Sequence, residues 1–421
     1  MEMNFERISS IVNKHKKVQT LMYHINKGTL EEEHRRQQRH KASGVDKVTK
    51  EVYNENLGEN IDKLLKSMKE FKYIPQPVKR VYIPKTGSNK LRPLGIPAYE
   101  DKLVQGVMAK VLNAVYEEKF LDFSYGFRPN KSCHKAIIEL DKTLMKYKTN
   151  YIVDADIKGF FDNVSHDWLM EFLKHDIQDK IFLRYISRFL KSGIMEENKV
   201  IESDKGTPQG GLISPILANV YLHYVLDLWF EKVVKQQCSG EAHIVRYADD
   251  FVCAFQYKSD AENFFKALIE RLKKFNLELA SDKSKIINFG RFAESRETFD
   301  FLGFTHINGI SRLGKYLVVH RTSKNKMKAK KQAAKEWMKQ NMHKPISEII
   351  EMLNRKLVGH YMYYGITNNS KSITAFYHYI RRMLYFSLLR RSQRNNLTWE
   401  KYDAILNLYG FKQPKLYVSL C

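Results

Sequence analysis

The chain has 421 residues, 43% of them apolar, a net charge of +24 and a pI near 9.6. These values fit two to three packed units of a globular protein, and a surplus of positive charge this large points to a polyanion, most often nucleic acid. No apolar run approaches the roughly 18 residues of a membrane span, Met1 to Arg7 lacks a secretory apolar core, and Cys133, Cys238, Cys253 and Cys421 show neither metal-ligand spacing nor an even framework; the expected setting is soluble, reducing and cytoplasmic.

Residues 1 to about 70 are charged and helical in pattern, with a turn at Gly44-Val45-Asp46. The mixed-charge run Glu31 to Lys41 reads equally as a solvated helix face or a nucleic-acid contact. Residues 77 to 97 predict a hairpin: Val78 to Ile83, a turn at Thr86 to Asn89, and a return over Leu91 to Ile96. Lys85 and Arg92 flank its tip, where long cations can close over a triphosphate. Asp101 to Phe120 predicts a buried helix, Phe123 to Pro129 an aromatic-rich loop, and a further helix runs through Tyr147.

The apolar run Tyr151 to Ala155 ends on Asp156, and Phe160-Phe161 follow closely. Gly206-Thr207-Pro208-Gln209-Gly210-Gly211 predicts a turn that enters a helix continuing through Asp227; its glycines allow close backbone approach to a ligand, and Gln209 is a candidate contact. Ile244-Val245 and Phe251-Val252 read as two strands joined by a tight turn that carries Asp249-Asp250 at its tip. Ala261 to Phe275 predicts an amphipathic helix with Phe264, Phe265, Leu268, Ile269, Leu272 and Phe275 as its core stripe. Leu277-Glu278-Leu279 predicts the start of a strand, Lys283 a polar loop, and Phe299 to Phe304 a short aromatic turn.

Beyond residue 305 the pattern reads as helical and basic: 22 Lys+Arg stand against 5 Asp+Glu, so this segment holds +17 of the +24. Ile346, Ile349, Ile350, Leu353 and Leu357 form an apolar stripe, and Tyr361, Tyr363, Tyr364, Tyr377 and Tyr379 interleave with Arg381, Arg382, Arg390, Arg391 and Arg394. Such interleaving suits contacts to RNA bases and phosphates, while part of the tyrosine set packs a helical core.

The chemistry resides in three acids. Asp156, Asp249 and Asp250 on neighbouring strands offer hard oxygen ligands for two Mg²⁺ ions, which need to sit roughly 4 Å apart for in-line phosphoryl transfer. One ion activates an attacking hydroxyl and the other neutralises a leaving pyrophosphate, which is what nucleotide polymerisation requires.

The ordered set Lys85…Arg92, Phe127-Arg128-Pro129-Asn130, Asp156 with Phe160-Phe161, Gly206 to Gly211, Tyr247-Ala248-Asp249-Asp250, Lys283-Ser284 and Phe301-Leu302-Gly303-Phe304 closely resembles the bacterial group II intron-encoded reverse transcriptases. Leu353 to Leu357 and Gly359 to Gly365 look like the maturase, or thumb, part of the same proteins. The resemblance covers most of the chain. It implies an α+β, right-hand polymerase with an antiparallel sheet packed on helices: an N-terminal helical extension over 1–70, fingers and palm over 71–304, and a basic α-helical thumb/maturase domain over 305–421.

By resemblance, Asp156, Asp249 and Asp250 are the catalytic metal ligands, joined by Ile157 at both metal and nucleotide, with Mn²⁺ as a substitute for Mg²⁺. Asp154 competes for the first role, but the spacing to Phe161 favours Asp156. Lys85, Arg92 and Gln209 would bind the incoming nucleotide, and Lys283 would protonate the pyrophosphate. Phe301, Leu302, Gly303, Phe127 and Arg128 would contact primer or template. Phe161 would meet the sugar, where a bulky ring excludes a 2′-hydroxyl and selects dNTPs; RNA-copying RNA polymerases carry a polar residue there. The implied partners are group II intron RNA as template, a DNA primer and dNTPs, with a homodimer left open. Paired cysteines and a His-Asn-His cluster are absent before Cys421, so the expectation is no target-strand cleavage and a primer taken from elsewhere, such as a replication fork. Two alternatives remain open: a splicing maturase only, and a related reverse transcriptase in a host or defence role without an intron.

Overall fold

The computed structural model describes residues 17–84, 91–197, 199–202, 204–207, 210–391 and 397–419. Lys85, Gln209, Arg394 and Cys421 lie outside the described residues. Two compact units are present: one gathers 17–84, 91–136 and 153–286, the other 137–152 and 287–419. Among the described residues no helix is long and apolar enough to cross a membrane.

In the first unit, β1 (Val78–Pro84) and β2 (Leu91–Ile96) form the expected antiparallel hairpin, with Ile83 opposite Arg92. Parallel pairing of β1 with β4 (Ile194–Glu196) and antiparallel pairing of β4 with β5 (Lys199–Ile201) extend it to the sheet order β2-β1-β4-β5. A second sheet has the order β6-β7-β3-β8, built from β3 (Tyr151–Asp156), β6 (Ala242–Tyr247), β7 (Asp250–Phe255) and β8 (Lys285–Asn288). Its strands are apolar on both faces: Ile152, Val153, Val245, Phe251, Val252 and Cys253 are all at most 2% exposed. The Tyr99–Tyr116 helix, apolar nearly all round, and the Ser214–Leu222 helix supply much of the remaining core.

Three local expectations change here. The helix from Ser214 does run past Asp227, but through two π-helical stretches, His223–Asp227 and Phe230–Val234. In the Lys258–Lys274 helix, Phe264, Leu268 and Leu272 are buried while Ile269 is exposed, so the apolar stripe is narrower than expected. Leu277 to Leu279 does not start a strand: Leu279 makes one isolated bridge to Ile157, Lys283 and Ser284 both turn back onto the Ala280 carbonyl, and β8 begins only at Lys285.

In the second unit, residues 304–322 are β-structure where a helix was expected. The hairpin β10 (Phe304–Ile310) and β11 (Tyr316–Thr322) joins β9 (Thr298–Phe301) in an antiparallel sheet. The two-residue turn Leu302-Gly303 has φ of 50° and 80°, the left-handed conformation that a tight hairpin demands. Helices Lys324–Asn341, Ile346–Tyr364, Ser370–Leu389 and Trp399–Leu408 follow. Ile349, Ile350, Leu353, Leu357, Tyr361, Tyr364 and Tyr377 form their core, so those three tyrosines pack rather than face a ligand.

Candidate active site

β6 and β7 pair with Tyr247 opposite Asp250, which leaves Ala248-Asp249 as a two-residue turn. Ala248 sits at φ 58°. A non-glycine residue there is strained and has to be held from outside. The neighbouring loop supplies the hold. Tyr125 N–H donates to the Arg246 carbonyl at 2.8 Å, Arg246 N–H donates to the Phe123 carbonyl at 2.9 Å, and Gly126 lies so close to Ala248 that a Cβ there would collide with the backbone nitrogen.

Below the turn lies Arg246, fully buried. Its guanidinium donates to both oxygens of Asp227, to Asn219 Oδ1 at 3.0 Å and to the Ala248 carbonyl at 2.8 Å. Asn219 in turn donates to the Gly126 carbonyl at 2.6 Å. Sequence reasoning passed over this network. The available signal was an arginine in an apolar strand, which must find a buried acid; the partner, 19 residues upstream in a π-helical stretch, is not readable from local pattern.

Asp156 ends β3. Its backbone N–H donates to Ser284 Oγ at 3.2 Å and its carbonyl accepts from Ala280 N–H at 2.8 Å. Lys158 N–H bonds the Glu278 carbonyl, so Ile157 and Leu279 form a non-hydrogen-bonded pair. Carbonyls alternate sides along a strand, so the Ile157 carbonyl points away from that edge, toward the β7 side of the sheet. The Ile157 side chain is buried at 2% exposure, which leaves only this carbonyl as a ligand.

The charges converge on Asp249. Burial raises its carboxyl above the usual aspartate range and the Asp156 charge adds to this; a bond to its own backbone and the Arg92 and Arg246 cations oppose it. The Asp156 charge is thus felt at the turn that carries Asp249. Lys283 Nζ sits 2.8 Å from Asp156 Oδ2, and this bond raises the lysine pKa, keeping it an ammonium. Three carboxylates and a carbonyl are a hard oxygen donor set that fits a divalent cation of the Mg²⁺ class. The three carboxylates do not bring their oxygens within 4.8 Å of one another, and the Asp156 carboxylate is engaged by Lys283 instead.

Phe161 is half-buried, edge-on to the buried Phe160 at 5.4 Å, and it lines a cleft of about 500 Å³ with Arg80, Leu94, Gly95, Lys205 and Thr207. The glycines nearby serve a different purpose from the one expected. Gly206 (φ 86°) leaves only 3.0 Å between an added Cβ and the Phe161 and Asp162 carbonyls, and Gly210 (φ 116°) packs on the Gly95 carbonyl of β2. They let protein backbone approach protein backbone.

Two expected primer or template contacts are corrected. Arg128 is buried, paired with both Glu117 oxygens and bonded to the Leu121 and Ser124 carbonyls, so it fixes its own loop and offers nothing to nucleic acid. Phe301 is 1% exposed and belongs to the core, because alternation along β9 turns its ring inward. Leu302 and Gly303 do sit at the turn, fixed by Tyr363 Oη donating to the Leu302 carbonyl at 2.9 Å and by Ser323 N–H donating to the Gly303 carbonyl at 3.0 Å. Phe127 is 48% exposed.

In the second unit, Lys324, Lys328, Lys331, Lys371 and Tyr379 line a groove of about 620 Å³, with the Lys331 ammonium 5.1 Å from the Tyr379 ring centroid.

Residues 83–306 match the family described as reverse transcriptase (RNA-dependent DNA polymerase), and residues 327–404 match the group II intron, maturase-specific domain. Over 248 residues the chain is 36% identical to the group II intron-encoded protein LtrA of Lactococcus lactis subsp. cremoris, an alignment of 56% of this chain and 41% of LtrA. Over 311 residues it is 32% identical to protein YkfC of Escherichia coli (strain K12), covering 66% of this chain and 78% of that protein. The chain thus spans about two fifths of the length of LtrA. With more than half of its residues matched and the acids gathered on β3 and the β6–β7 turn, the chain belongs to the reverse transcriptase family, has its right-hand α+β fold, and carries a group II intron maturase-specific domain.

Proposed function

We propose that this chain is an RNA-directed DNA polymerase that extends a DNA primer along an RNA template, group II intron RNA in particular, and that it binds that RNA as a splicing maturase in intron mobility. The observation that carries the reading is the Ala248-Asp249 turn between β6 and β7, held from below by the buried Arg246–Asp227 pair, together with Asp156 at the end of the neighbouring strand β3. Fingers and palm would fall within 71–304, with 1–70 as an extension, and the thumb/maturase function within 305–421. The setting would be the bacterial cytoplasm.

Asp156, Asp249, Asp250 and the Ile157 carbonyl would hold two Mg²⁺ ions, replaceable by Mn²⁺, which when bound supply an activated 3′-hydroxyl and charge neutralisation at the pyrophosphate. Arg92, with Lys85, would pair with the triphosphate. Lys283, kept protonated beside Asp156, would pass its proton to the leaving pyrophosphate. The Phe161 ring would bear on the sugar and exclude a 2′-hydroxyl, and Gln209 would line the nucleotide pocket. Leu302 and Gly303 would seat the primer end, and Phe127 would face the template. The Lys324–Lys371 groove would track RNA phosphates.

The test is primer extension on an RNA template with Mg²⁺ and either dNTPs or rNTPs, comparing wild type with Asp249→Ala. The expected outcome is extension with dNTPs alone, lost by more than about 10³-fold in the variant, with RNA binding retained. Absence of extension beside tight binding of structured RNA would favour the maturase-only reading.

A further inference from the structure

We infer that Asp141, His306 and His320 form a binding site for one divalent transition-metal ion of the zinc class, separate from the polymerase acids. All three residues lie in the second unit. The β10–β11 register sets His306 directly opposite His320, so both imidazoles stand on one face of the sheet. The Cys133–Lys146 helix brings Asp141 onto that face, where its Oδ1 lies 3.1 Å from His320 Nε2. One donor atom from each residue lies within 4.8 Å of the other two; among the described residues this is the only place where three such side chains converge. A tetrahedral zinc ion with bonds of about 2.0–2.2 Å needs donors roughly 3.4 Å apart, so a small rotation of each side chain closes the site.

The second observation is what the imidazoles lack. His306 and His320 are fully buried and Asp141 is 3% exposed. Both ring nitrogens of His306, and Nδ1 of His320, have no hydrogen-bond partner. Buried polar atoms normally find partners, and three orphaned imidazole nitrogens around one carboxylate require another explanation. A bound ion supplies it for one His306 nitrogen, and His320 would bring Nε2, which bonds Asp141, onto the same ion. The Phe301 carbonyl acts on His306 without reaching full hydrogen-bond geometry, and a small ring rotation would make it the acceptor that orients a ligating histidine. Phe299 stacks on His306 at 4.7 Å and 5°, and Phe304 stands edge-on to His320 at 6.3 Å. These rings exclude bulk water and fix the donors.

The donor set chooses the metal. Two imidazoles and one carboxylate suit Zn²⁺, Co²⁺ or Ni²⁺, whereas Mg²⁺ and Ca²⁺ take all-oxygen shells such as that of the polymerase acids. The fourth position is filled by the second Asp141 oxygen or by one buried water. Asp141 and His320 are 179 residues apart, so the ion would tie the Cys133–Lys146 helix to the hairpin that begins at the Leu302-Gly303 turn.

The test uses the full chain, stripped of metal and titrated with Co²⁺ and Zn²⁺. One equivalent of Co²⁺ with visible tetrahedral absorption, displaced by one equivalent of Zn²⁺, is the expected result, with a rise in melting temperature on Zn²⁺ addition. His306→Gln and Asp141→Asn should each abolish the spectrum, and Asp249→Ala should keep it. Absence of stoichiometric Co²⁺ binding by the wild type, which does not depend on any variant folding, overturns the site. Retention of the full spectrum in His306→Gln, or its loss in a folded Asp249→Ala chain, does the same.

Discussion

Arg246 and Asp227 meet through two parallel hydrogen bonds, Nε to Oδ1 at 2.7 Å and Nη2 to Oδ2 at 2.5 Å, with both side chains fully shielded from solvent. The remaining Nη1 bonds the Ala248 carbonyl, so a buried ion pair carries the strained turn that presents Asp249. A lysine cannot reproduce the planar fork. Arg246→Lys should therefore lose on the order of 3–5 kcal/mol of stability, because Asp227 is left partly unpaired in the core, and polymerase activity should fall with it. Arg246→Met combined with Asp227→Leu should recover much of the stability without the activity. Denaturant unfolding beside primer extension checks this; a double variant as active as wild type would show that the turn needs no such support.

Phe161 is held edge-on against Phe160 and faces the cleft beside β2. Phe161→Ala should raise the use of rNTPs relative to dNTPs by roughly 10- to 200-fold, the range of about 1–3 kcal/mol that a single steric group provides. Steady-state incorporation of matched dNTP and rNTP measures it. An unchanged ratio would reject Phe161 as the sugar filter.

Asp101 is buried in the Tyr99–Tyr116 helix, where burial pushes its carboxyl up to about 7 against the bonds from Tyr73 Oη and Gln76 N–H. In the unfolded chain it titrates near 3.8. Between those values the folded state holds a proton that the unfolded state has released, so stability falls as pH rises from about 4 to about 7 and then levels off. The ceiling on this effect is on the order of 4 kcal/mol. Asp101→Asn, which cannot ionise, should flatten the slope in that window. Urea unfolding at pH 5 and pH 8 measures it, and an equal pH dependence in the variant would refute the assignment.

The groove of Lys324, Lys328, Lys331 and Lys371 carries the salt test. Replacing Lys324, Lys328 and Lys331 by Gln should weaken RNA binding and reduce the slope of log K against log salt by about 0.7–0.9 per lost phosphate contact. A salt titration of RNA affinity decides it: an unaltered slope would put the RNA surface elsewhere on the chain.

Much of the candidate site is legible in the sequence because its parts are local. Two short apolar runs on either side of Tyr247 to Asp250 encode a hairpin with its turn between them, and Asp156 closes another such run. The basic excess past residue 305 is visible as composition, and the apolar stripe Ile346 to Leu357 marks the Ile346–Tyr364 helix within a segment that is helical beyond Ser323. The strands over 304–322 were missed because His306, His320 and Thr322 are polar residues that turn inward, which defeats a reading by hydrophobic alternation.

The sequence by itself determined the order of the candidate acids, the strand ends that carry them and the sign of the net charge, since each of these depends on neighbours within a few residues or on composition. Only the tertiary structure decided what the buried polar residues do. Arg128 turned inward to Glu117, Phe301 entered the core, Gly206 and Gly210 served backbone packing, Arg246 found Asp227, and His306 and His320 met Asp141. A charge or imidazole in an apolar segment declares that it needs a partner, because burying it alone is costly, but the partner is fixed by chain topology across tens to hundreds of residues, which local pattern does not encode.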